Sequence, residues 1–129
     1  GLDSFQAINS QTSSKYVTAA LGDLQSAVYH LFSRPQHCGQ SKWASLQATE
    51  KFIKSYIERK DGKVDPHHNL NKLSNYAHTL GLNQLNRDNL EIIQCAAGVR
   101  YGESSVSVQV AVEAHLASID ICEKVASSA

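Results

Sequence analysis

Residues 42–73 read KWASLQATEKFIKSYIERKDGKVDPHHNLNKL. Apolar side chains fall at Trp43, Leu46, Phe52, Ile53, Tyr56 and Ile57, the three-and-four spacing of one broad helical face. Asp61-Gly62 stops that helix, and Pro66 marks the end of the loop that follows. The step His68-Asn69-Leu70 lies at the start of a second helix expected over about 67–80, whose stripe is Leu70, Leu73, Tyr76, Ala77 and Leu80. Gly81 stands where a C-cap glycine is expected. Two amphipathic helices joined by a polar turn make this an α-helical chain.

The same reading extends outward in both directions. Ser41 is a good N-cap for the helix just described, and residues 36–40 form a turn containing Gly39. Upstream, Ser13 or Ser14 can cap a helix with apolar positions Tyr16, Ala20, Leu24, Ala27, Val28, Leu31 and Phe32. Arg34-Pro35 ends it, because the residue before proline is pushed out of the helical region. Downstream, Asn86 to Asn89 looks like a further helix start, followed by Leu90, Ile92, Ile93, Cys95, Ala96 and Ala97. Residues 98–105, GVRYGESS, interrupt the pattern with two glycines and two serines. A last helix is expected over about 106–125, with Val108, Val112, His115 or Leu116, Ile119, Cys122 and Val125 turned inward. Its run VSVQVAV alternates as a strand would, but a lone strand has no pairing partner. The expected fold is therefore all-α, an up-and-down bundle of four to five helices. Residues 1–14 are expected to form a loose N-terminal arm, and residues 15–129 a single helical domain.

Composition sets bounds on function. With 129 residues the chain can bury a core without disulfide or metal staples. Twelve basic and twelve acidic residues cancel, so no global field draws in nucleic acid and any such site must be a local patch. Zero net charge also favours self-association. Cys38, Cys95 and Cys122 are odd in number and widely spaced, which argues against a secreted disulfide framework and for a cytoplasmic location. No apolar run approaches the roughly 20 residues that span a bilayer, and no signal peptide opens the chain. The leading Gly1 and the absence of methionine suggest a processed or partial chain.

Several small constellations carry possible chemistry. Lys51 and Lys54 share one helix face and, with Arg59 and Lys60, make a basic strip suited to phosphate. Singly, each is ordinary for a solvated helix face. His67, His68 and His78 lack a cysteine or carboxylate at zinc spacing, and His30, His37 and Cys38 show no established ligand spacing, so no metal site and no cofactor is expected. Arg100-Tyr101-Gly102-Glu103 puts an arginine at the mouth of the last helix, beside glycines that let backbone approach a ligand. Alone, it reads more readily as an ordinary inter-helix turn with a salt bridge such as Arg100 to Glu103. No P-loop, dinucleotide, HExxH or GxSxG pattern occurs.

In combination these pieces resemble the HEPN family of small helical domains. The resemblance rests on residues 43–56 with Glu50-Lys51 and Lys54, on His68-Asn69-Leu70 with Lys72-Leu73, and on Val99-Arg100-Tyr101-Gly102 before the final helix. It covers about residues 15–126. It implies a four- or five-helix bundle that pairs as a homodimer. Many family members are metal-independent ribonucleases, often toxins of toxin-antitoxin systems, that use an arginine followed four to six residues later by a histidine. Others bind nucleotides or partner minimal nucleotidyltransferases. Here the positions after Arg100 where that histidine would fall are Ser105, Val106 and Ser107, none of which titrates near neutral pH. The resemblance therefore implies a non-catalytic domain that binds a nucleotide or an RNA phosphate. Arg100 would contact phosphate, Tyr101 would stack or line the cleft, and Lys51, Lys54 and His68 would assist. The alternatives are a divergent ribonuclease with Glu103 or a partner's histidine as base, and a pure interaction module.

Overall fold

The computed structural model describes residues 15–64, 69–95, 99 and 105–128. Among them are five helices and no strand. They are α1 (Lys15–Phe32), α2 (Cys38–Asp61), α3 (Leu70–Thr79), α4 (Arg87–Ile93) and α5 (Val108–Ala126). The all-α bundle expected from the sequence is thus present. The expected arm over residues 1–14 lies outside the described residues.

α2 is the hub, packing against each of the other four helices. It runs antiparallel to α1: Ser41 lies against Ala27 and Lys51 against Asp23. Its 24 residues include 13 that are buried, far more than one amphipathic face supplies. Several of these are polar and find partners close by. The hydroxyls of Ser41, Thr49 and Ser55 donate to the carbonyl oxygens of Ala27, Ser45 and Phe52 at 2.8, 2.9 and 2.6 Å. Such bonds remove most of the cost of burying a hydroxyl. Phe52, Ile53, Tyr56 and Ile57 form the apolar centre with Leu73, Leu82, Ile93, Ile121 and Val125.

Boundaries follow local chemistry. Asn69, Asn86 and Ser107 cap α3, α4 and α5, each accepting from the backbone N–H three residues on at 3.1 Å. Gly62 closes α2 with φ +83°, a left-handed conformation that glycine adopts without a Cβ clash. α2 begins at Cys38, not near Ser41. Ser41 is an interior residue whose hydroxyl ties α2 to α1 instead of capping. α3 likewise begins at Leu70, later than expected, because Asn69 supplies the cap.

α5 corrects the expected inward face. Val108, Val112 and Leu116 are exposed, while Ala111, Ala114, Ala117, Ser118 and Ile121 join Cys122 and Val125 inside. Small side chains let α5 approach the crowded α2 closely, so the alanine face turns inward and the larger residues turn out. In α1, Val28 and Phe32 are also exposed, and Val17 takes the inward place expected of Tyr16. No helix among the described residues is long and apolar enough to cross a membrane.

Candidate functional site

The α2–α3 junction forms a cleft of about 540 Å³, within the range of small-ligand sites. Gly62 turns the chain out of α2, Lys63 and Val64 follow, and Asn69 starts α3 so that Lys72, Leu73 and Tyr76 face back toward Ile57 and Asp61. Ile57 and Leu73 are buried beneath the cleft and Val64 is half-buried beside it. The Tyr76 hydroxyl donates to Asp61 Oδ2 at 2.7 Å, bracing α3 on the end of α2. That hydrogen bond also raises the Tyr76 pKa above its ordinary value, keeping the phenol protonated. The Tyr76 ring itself is 43% exposed.

The cleft's charge is unbalanced. Lys63 and Lys72 make no ion pair among the described residues, and the one carboxylate of the described lining, Asp61, keeps its negative charge while accepting from the neutral Tyr76 hydroxyl. The negative end of the α2 dipole points toward this junction, but the positive end of α3 meets it there. Two lysines against one carboxylate leave the described lining with one positive charge in excess. They offer two ammonium groups above an apolar floor and beside an exposed aromatic ring. This arrangement can accommodate an anionic group beside an aromatic ring.

A second groove of about 450 Å³ lies between α1 and α2, lined by Asp23, Ser26, His30, Gln40, Trp43, Ala44, Gln47 and Lys51. Lys51 Nζ and Asp23 Oδ2 are 2.5 Å apart across it. Both are partly exposed, so the pair contributes within about 0.2–1 kcal/mol. His30 Nδ1 is enclosed without a partner, and its ring stacks on His37 at 5.7 Å between centroids. Burial, and then the neighbouring His37, lower the His30 pKa. This groove is close to neutral and suits phosphate less than the α2–α3 cleft.

The residues singled out from the sequence do not converge on one described site. Lys51 opens onto the α1–α2 groove and is matched by Asp23. Lys54 is only 7% exposed within α2, and both it and the buried Glu50 have interaction partners. His68, Arg100 and Tyr101 lie outside the described residues. Their neighbours can be placed: Asn69 caps α3, and the Val99 backbone lies against Gly39 at the start of α2. Ser107, one position where a nuclease histidine would fall, serves as the N-cap of α5. Lys63 and Tyr76 were not singled out from the sequence for function. The spacing KDGKVD…NLNKL carried the signal, since it places a lysine on each side of one helix–helix turn. Among the described residues no group of three or more histidine, cysteine or acidic side chains could hold a metal ion. No family model, curated protein or solved structure matches the chain.

Proposed function

We propose that this chain is a non-catalytic, HEPN-like helical module that binds a nucleotide or an RNA phosphate in the α2–α3 cleft. The observation that carries this reading is that Lys63 and Lys72, neither engaged in an ion pair among the described residues, line one cleft over an apolar floor with the Tyr76 ring beside them. Two ammonium groups meet the phosphate charge, and the floor and ring accept a base. The resemblance adds Arg100 and Tyr101 as further contacts, and a minimal nucleotidyltransferase or a second copy of the chain as partner. Calorimetric titration with ATP, GTP and a short RNA tests the reading. Saturable heat is expected, weakened about tenfold, or 1.4 kcal/mol, in Lys63→Ala/Lys72→Ala. Absence of saturable heat, or an affinity unmoved by the double substitution, would remove it.

A second reading, a pure protein-interaction module, draws support from the exposed apolar ridge Val108, Val112 and Leu116 on α5. Single exposed apolar residues are normal, but a ridge at i, i+4 and i+8 is a helix-docking pattern. A stable heteromer on pull-down, together with no small-ligand heat, would favour this reading over the first.

A further inference from the structure

α3 and α4 both pack on α2 and leave a cleft of about 500 Å³ between them. It shares no lining residue with the α2–α3 cleft. Its α3 wall carries Asn71, Ser74, Asn75 and His78, whose spacing of three and four puts them on one face of the helix. Its α4 wall carries Arg87 and Glu91, also four apart. Leu85 and Leu90 are buried and give the cleft an apolar floor. The polar groups here are idle. Ser74 is only 7% exposed, yet its hydroxyl makes no hydrogen bond among the described residues. A hydroxyl so enclosed ordinarily has a partner, and a ligand that supplies one removes a cost of folding. The side chains of Asn71, Asn75, Arg87 and Glu91 likewise make no hydrogen bond or ion pair among the described residues. His78 is engaged: its Nδ1–H donates to the Leu82 carbonyl oxygen at 2.7 Å and fixes the ring.

Charge and spacing point to the ligand. Arg87 and Glu91 cancel, so the described lining carries no net charge and offers a polyanion nothing. The Asn71 and Asn75 carboxamides each donate and accept, Arg87 only donates and Glu91 only accepts. Four helical residues advance about 6 Å, which is the repeat of the two carboxamides along α3. Two residues of an extended chain advance about 6.6 Å, and alternate residues turn N–H and C=O to the same edge. Each carboxamide can therefore pair with both backbone groups of one residue, and its neighbour with those of the residue two further on. The other edge presents the N–H and C=O of the intervening residue to Glu91 and Arg87. Side chains then point alternately to the floor and to solvent. From Asn71 to His78 the helix advances about 10.5 Å, the length of about three extended residues. Sugar hydroxyls also combine donors with acceptors, but the described lining has no phenylalanine, tyrosine or tryptophan ring for a sugar face to rest on. We propose that the α3–α4 cleft binds an extended, uncharged peptide segment by its backbone, with an apolar side chain seated on Leu85 and Leu90. The site is independent of the α2–α3 cleft.

The experiment pans a phage-displayed library of random heptapeptides against the full chain and titrates the synthesised hits by calorimetry. Saturable binding is expected, weakened about tenfold in Asn71→Ala/Asn75→Ala, a variant checked for folding by circular dichroism. Backbone N-methylation of a hit should cost about tenfold at each of two residues that flank a third. That cost should vanish in Asn71→Ala/Asn75→Ala, whereas a merely structural role of the asparagines would leave it in place. Hits with the same affinity and the same N-methylation profile in the variant overturn the site. A library without saturable hits overturns the proposal, whether or not an oligosaccharide binds in place of peptide.

Discussion

Alanine replacing glycine at two positions should have opposite effects, and the structure sets the sign of each. A Cβ built at Gly39 would lie 2.2 Å from the carbonyl oxygen of Val99, 3.2 Å from its carbonyl carbon and 3.3 Å from Cγ1. Contacts below 3.0 Å are not tolerated, so the Val99 backbone must retreat by about 1 Å or the start of α2 must shift. Overpacking of this kind costs about 1–3 kcal/mol. Alanine's better helix propensity returns at most about 1 kcal/mol, and less in a first turn. Gly39→Ala should therefore destabilise the fold by about 1–2 kcal/mol. Gly22 sits mid-helix in α1, exposed, with nothing within 4 Å of a Cβ built there. Gly22→Ala gains helix propensity without a clash and should stabilise by about 0.5–1 kcal/mol. Urea titration reads both as opposite shifts in midpoint at constant slope. Thermal unfolding should separate the two variants by several degrees, since about 1 kcal/mol corresponds to roughly 3–5 °C for a chain of this length. If Gly39→Ala proves neutral or stabilising, the Val99 backbone does not rest on α2, and the link between the turn after α4 and the central helix is lost.

Two further measurements address buried titratable groups. His115 is half-buried in α5 with Nδ1 enclosed and unpartnered, and burial lowers its pKa below the ordinary value near 6.5. Below that value the unfolded chain takes up a proton that the folded chain resists, so the stabilising preference is present above about pH 6.5 and lost as pH falls toward the lowered folded pKa. The urea midpoint should drop between pH 7.5 and 5.5, and less so in His115→Gln; equal pH dependence in both proteins would exclude His115 as a source. Among the cysteines, Cys122 is fully buried and burial drives its thiol pKa strongly upward, while Cys38 and Cys95 are half-exposed and burial raises Cys95 as well. Thiol labelling followed by mass spectrometry should modify Cys38 first in the native protein and reach Cys122 only on unfolding; early labelling of Cys122 would contradict its burial.

Helix identity and most helix ends were readable from local chemistry. Asn86 and the Asp61-Gly62 stop act as the residues suggest, because caps and left-handed glycines depend on a few neighbouring atoms. Which face of a helix turns inward depends on what it meets. In α5, Val108, Val112 and Leu116 match an apolar stripe by spacing, yet the alanine face is buried because α2 is already surrounded and admits only a close, small-residue contact. Ser41 shows the same limit. Its residue type suits an N-cap, but its position opposite Ala27 is a property of the α1–α2 pairing. For the candidate site, the lysine strip on α2 was visible, but its division was not. Lys51 is matched by Asp23 from a helix 28 residues away in sequence, and Lys54 is drawn inside. Lys63 and Lys72 emerge as a cleft-lining pair, without ion-pair partners among the described residues, only once the turn between α2 and α3 is seen in three dimensions.

The only tryptophan in the chain, Trp43, is half-buried on the α1–α2 groove, about 21 Å along α2 from Ile57 in the cleft. This separation makes the chain's natural fluorophore a witness of the helical hairpin and a poor witness of ligand. Emission will follow the parting of α1 from α2 under urea or heat, whereas occupancy of the distant cleft will pass almost unseen. A flat fluorescence titration therefore says nothing about binding at Lys63 and Lys72. An optical assay for that site requires a reporter placed near Tyr76 or carried by the ligand itself.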